Sequence, residues 1–219
     1  MIYSAAEKNF LRVKLMYGIA ESLHREKKDI EARRDPESRG SLSHLELDTF
    51  EFGQREQAIL EAIIAFTVIA LESLTNQALA EKINNVSLAC LAIEYPRHIL
   101  EKTHTKLKDA PELLQKLIIL ADQEKVPEDI AESVRNLVTI RNQVVHDKPF
   151  YLSTDHEGEV AYLPFNIRGK DEDNPPLRLE DVFALLKQAD LVIEFISLAV
   201  ELDINFRFHS LCQSSGDAE

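Results

Sequence analysis

Tryptophan is missing from this 219-residue sequence, and glycine occurs only six times. So few glycines leave little material for the tight turns of a many-stranded sheet. The sequence is instead rich in Leu, Ala, Ile and Glu, which favour helices. Two cysteines, Cys90 and Cys212, make no CxxC pair and no disulfide framework, which fits a reducing compartment. There is no glycine-rich phosphate loop, no HExxH, no Cys/His set at ligand spacing and no nucleophile elbow. P-loop, zinc-hydrolase and α/β-hydrolase chemistries are therefore not expected, and neither is a metal or cofactor. Positive charge is also short. Acidic residues outnumber basic ones 38 to 25, for a net charge of -13. That argues against indiscriminate binding to nucleic acid but leaves room for a small basic site on an acidic body.

Long hydrophobic runs are lacking too. The longest, Ala62 to Leu71, is closed off by Glu61 and Glu72 and falls short of the roughly 20 residues a membrane helix needs. The N-terminal stretch Met1-Ile-Tyr-Ser-Ala-Ala-Glu-Lys has no apolar signal core. A soluble, cytoplasmic protein is the expectation. Its length suits one domain over 1–212, followed by a disordered tail over 213–219.

Apolar spacing predicts a first helix from about Ala5 to Arg34, stopped by Asp35-Pro36. Leu45 to Phe52 reads as a short strand or an irregular packed segment. A second helix, about Gln54 to Ile83, is apolar nearly all round between Ala58 and Leu74, which suits the centre of a bundle. Helices are expected near Ser87–Lys106 and Glu112–Gln123. Another opens at Pro127-Glu128-Asp129 and runs to His146. Phe150 to Arg178 holds Tyr, Val, Gly and three prolines around Asp171-Glu-Asp-Asn174, a texture of hairpin or ordered loop with a mobile tip. A last helix spans Leu179 to about Asn205. The fold class that follows is all-α, an up-and-down bundle of four or five helices with a small hairpin or loop insertion near 150–178.

One segment carries chemistry: Arg141-Asn142-Gln143-Val144-Val145-His146. At about 100° per residue, Ile130, Val134, Leu137, Val138, Val144 and Val145 share one face, and Arg141 falls near its middle. A guanidinium there needs a carboxylate, an anion or a wet interface. Asn142 and His146, four apart, occupy the adjoining edge. Arg neutralises charge on phosphate oxygens, His moves a proton near neutral pH, and Asn orients either the imidazole or the substrate. The structural alternative is an Arg141 ion pair with a bundle carboxylate such as Glu72, with His146 as a helix C-terminal cation. Glu72 and Asn76 interrupt the apolar helix and need partners of their own. Lys148 is a possible phosphate contact, although a solvated lysine is the simpler reading.

An Arg followed by Asn, with His four residues further on, late in a helical bundle, resembles the HEPN superfamily. The likeness covers Arg141, Asn142 and His146 and the helical pattern. It implies a metal-independent ribonuclease that works as a homodimer, with two motifs in one cleft. Catalysis by Arg141 and His146 would leave a 2′,3′-cyclic phosphate. It also implies a role in toxin–antitoxin or anti-phage systems, with a protein antitoxin or defence partner. Some members have lost activity and serve as interaction modules for a protein or nucleotide. One toxin branch has a Tyr two residues after the His; Lys148 stands there in this chain, so modification by a partner nucleotidyltransferase is not implied. The same Arg-to-His spacing recurs at Arg39 and His44, and a longer one at Arg97 and His104. Neither Arg is followed by Asn.

Overall fold

A computed structural model describes residues 5–32, 42–100, 110–122, 125–146, 148–154, 160–165, 177–201, 204 and 206–208. Among these are seven helices and one two-stranded antiparallel ribbon. The helices are α1 (Ala5–Ala32), α2 (Leu42–Lys82), α3 (Val86–Glu94), α4 (Pro96–Leu100), α5 (Glu112–Leu120), α6 (Glu128–His146) and α7 (Leu179–Val200). The helical character is as expected. The ribbon, β1 (Lys148–Thr154) against β2 (Val160–Phe165), follows α6 directly and pairs Tyr151 with Leu163 and Thr154 with Val160.

α2 is the axis of the bundle, with α1, α3, α5, α6 and α7 all packed against it. The cause lies in its sequence. Leu60, Ile63, Ile64, Val68, Leu71, Leu74 and Leu79 are all buried although they point in several directions around the helix. One neighbour cannot cover such a surface. Two threonines inside this stretch, Thr67 and Thr75, stay buried because their hydroxyls donate to the carbonyls of Ile63 and Leu71, each 2.8 Å away. Phe52–Lys82 is long and apolar enough to cross a membrane by length and composition, and half of its most apolar window is buried against the other helices.

Several boundaries differ from the sequence reading. Leu45 to Phe52 is neither strand nor irregular, because α2 begins at Leu42 and runs unbroken through it. The expected helix over Ser87–Lys106 is two helices as far as Leu100, and 101–106 lie outside the described residues. Pro96 has no N–H to donate and forces Tyr95 off the helical path (φ -138°, ψ 55°), while Asn85 caps the start of α3 by accepting from the Leu88 N–H. α7 stops at Val200, short of Asn205, because Glu201 takes a left-handed conformation (φ 54°). α5 ends at Leu120, and Asp122 is left-handed in the same way. The end of the first helix at Arg34 and the tail over 213–219 lie outside the described residues.

Local charges set the helix ends. The Arg178 guanidinium and backbone N–H both donate to Asp181 at the start of α7, which holds that carboxyl below its usual range. At the other end of the bundle, Lys82 Nζ donates to the carbonyls of Leu120 (2.8 Å) and Ala199 (3.2 Å) and pairs with Asp122 (2.8 Å). One ammonium thus ties together the C-termini of α2, α5 and α7, where helix dipoles concentrate negative charge. Beyond α7 the chain turns back, and Phe208 is fully buried against Phe10 and Phe206. Its N–H donates to the buried carboxylate of Asp190 at 2.6 Å.

Two outcomes follow for stability. Phe208→Ala is expected to lower the unfolding free energy by about 3–5 kcal/mol in urea titration, whereas exposed Leu198→Ala changes it by less than about 0.5 kcal/mol. Lys82→Met keeps the aliphatic stem but drops its charged donor, and a loss of about 1–3 kcal/mol is expected in the same titration.

Candidate functional site

α6 presents Ile130, Val134 and Leu137 to the core in a 4-3 rhythm, and Arg141 is the next residue of that row. The row leaves the apolar core at this point. Val138 and Val144 are half-buried, and Val145 is 53% exposed instead of belonging to the buried face. Arg141 is therefore held at the mouth of the α2–α6 seam, with its side chain 25% exposed.

Across the seam stands Glu72 of α2. Arg141 Nη2 donates to Glu72 Oε1 at 3.1 Å, and the Glu72 side chain is 33% exposed. The carboxylate that the sequence left as one possible partner is thus in place within the same chain. The match is incomplete, however. The buried Arg141 Nε has no hydrogen-bond partner, and neither does the buried Oδ1 of Asn76, one helical turn beyond Glu72. Arg141 on α6 thus keeps one unused donor, and Asn76 on α2 one unused acceptor a helical turn past the Glu72 of the ion pair. An unmet buried polar atom costs about 1–3 kcal/mol, so a group that accepts from Arg141 Nε, or one that donates to Asn76 Oδ1, would be stabilised. Glu61, which also interrupts α2, is served within its own helix by Gln57 Nε2 at 2.9 Å.

The remaining candidates are less gathered. Asn142, next to Arg141, is exposed. His146 is the last residue of α6 and Lys148 the first of β1; their side chains lie outside the described residues. Of the repeated Arg/His spacings, Arg97 is exposed on α4, and Arg39, His104 and the side chain of His44 lie outside the described residues. Among the described residues no cluster of His, Cys, Asp or Glu is suited to hold a metal ion.

One polar cluster was not legible beforehand. His24 and Lys27 of α1 both reach the buried carboxylate of Glu56 on α2, at 3.0 and 3.2 Å. Sequence spacing gives no sign of such a pairing across 29 and 32 residues. Comparison of the chain with family models, with curated proteins and with solved structures gives no match.

The Glu72–Arg141 pair is exposed enough for water to screen it. A double-mutant cycle of Glu72→Ala and Arg141→Ala should give a coupling of about 0.2–1 kcal/mol at 150 mM salt, falling toward zero at 1 M.

Proposed function

We propose that this chain is a HEPN-like, metal-independent endoribonuclease that cleaves RNA by attack of a ribose 2′-hydroxyl. The observation that carries the reading is the unfinished hydrogen bonding of Arg141, whose buried Nε has no partner although its Nη2 donates to Glu72, next to the exposed Asn142. A ribose-phosphate supplies the complement, since phosphate oxygens accept from a guanidinium.

In this mechanism Arg141 turns from Glu72 to the phosphate. The pair it leaves is worth at most about 1 kcal/mol, being partly exposed. A charge-assisted bond to phosphate returns about 1.5–3 kcal/mol. His146 takes the proton of the 2′-hydroxyl, the 2′-oxygen bonds to phosphorus, and the 5′-oxygen leaves with a proton from solvent. The products are a 2′,3′-cyclic phosphate and a free 5′-hydroxyl. Asn142 orients the imidazole or the scissile phosphate. Glu72 and Asn76 act as positioning residues, and Lys148 is an additional phosphate contact. A homodimer placing two such motifs in one cleft, a cytoplasmic setting and a toxin or defence role with a protein partner belong to the same proposal.

A second reading has its own support. Glu72 already occupies one arm of the guanidinium, and the net charge of -13 repels polyanions. Both favour an inactive HEPN-like module that binds a protein or a nucleotide.

Cleavage of single-stranded RNA in EDTA separates the two. The wild type is expected to cut, with Arg141→Ala and His146→Ala each reducing the rate by about 100-fold or more. Glu72→Gln, by releasing the guanidinium, is expected to tighten RNA binding several-fold. Equal cutting by wild type and both alanine variants would falsify the assignment, and no cutting of any RNA would favour the binding module.

A further inference from the structure

Arg25, Arg135, Arg141 and Arg178 each pair with a carboxylate. Arg12 of α1 meets none among the described residues. Its Nη1 donates to Oδ1 of the buried Asn9 at 3.0 Å, and its guanidinium carbon lies 5.3 Å from the centre of the Phe66 ring on α2. An aromatic face and one amide oxygen thus hold the group in place. The residue is exposed, and a guanidinium is a fork of several N–H donors of which Asn9 takes one. The rest suit an anion, which no part of this site has to be displaced to admit.

Arg12 and Arg141 stand on opposite borders of one open strip of α2. At about 100° per residue, Glu72, Ile69, Ser73 and Phe66 follow in that order across about 120° of the helix. Ile69 is 40% exposed and the other three are half-buried, so neither α1 nor α6 covers this side. α6 meets the strip at one border, where Arg141 reaches Glu72. α1 meets it at the other, where Arg12 lies over Phe66. The six positions from Phe66 to Glu72 are a rise of about 9 Å along the helix. Exposed Lys8, one turn before Arg12, adds positive charge to the α1 border. Cations on both banks of a strip suit a ligand whose negative charges repeat along its length. A single nucleic-acid strand can follow a strip one helix wide, whereas a duplex is stiff over many base pairs.

We propose that this strip is the track of a single RNA strand, on which Arg12 binds a second backbone phosphate while Arg141 engages the scissile one. The proposal rests on the ribonuclease reading. It adds a substrate class, single-stranded RNA, and a binding residue outside the Arg141-to-His146 segment. The two arginines differ in readiness. Arg12 is already held by Asn9 and Phe66, whereas Arg141 must first leave Glu72.

Fluorescence anisotropy of the full chain with a short 2′-O-methyl oligouridylate tests this. That strand has no free 2′-hydroxyl and cannot be cut, so binding is read apart from catalysis. Titrations run from about 50 to 200 mM salt, where each phosphate contact contributes about 0.7 to the slope of log Kd against log salt. Arg12→Ala is expected to weaken binding about ten-fold at the lower salt and to reduce the slope by about 0.7. Arg12→Lys keeps the slope, because it keeps the charge. Lys14→Ala removes an exposed charge from the far side of α1 and leaves the slope unchanged. A slope for Arg12→Ala equal to that of the wild type overturns the proposal. So does an equal fall for Lys14→Ala, which is the mark of diffuse attraction, and so does a wild type that binds no single strand. Tighter binding of a duplex than of the single strand overturns the choice of substrate. The ribonuclease reading fails separately. Binding that depends on Arg12, without cutting of unmodified RNA, removes catalysis and leaves the track. Cutting that Arg12→Ala does not slow removes the track and leaves catalysis.

Discussion

The structure depends on the burial of α2. Its middle is apolar in nearly every direction, and water can be removed from all of that surface only by surrounding it. α1, α5, α6 and α7 each bury apolar residues against it, and each is placed by its share of that task. The length of α2 follows from the same demand. Its N-terminal third has little apolar periodicity, yet it continues the helix once the rest is fixed, since propagation is far easier than nucleation.

Polar groups that enter this core are tolerated by being answered. Thr67 and Thr75 use carbonyls of their own helix, Asp190 takes the Phe208 N–H, and Glu56 receives His24 and Lys27. Lys82 answers two helix ends at once. Against that background the α2–α6 seam is unusual. Arg141 and Asn76 each keep a buried atom unpaired beside a partly exposed ion pair. Among the described residues, these two atoms stand apart from an otherwise answered set of buried side-chain polar groups.

The Arg141 seam is polar and lies where the row of core residues on α6 runs out, so its ion pair is partly open to water and is screened by it.

Periodicity in the sequence was enough to determine the helical class, the central place of α2, the start of α6 and the presence of a cation on the row that leads out of the core. These depend on spacing along one helix, which the chain itself carries. The break at Pro96 between α3 and α4, inside what the spacing read as one helix, shows in the backbone angles of Tyr95. What only the tertiary structure decided was pairing between distant residues. Arg141 takes Glu72, which is 69 positions away, and Glu56 takes His24 and Lys27. Val145 turns outward although it shares the apolar pattern. The physical reason is that a pattern fixes which side of a helix is apolar. Which charge meets which, and where a stripe leaves the core, depends on how far each helix extends past its neighbour.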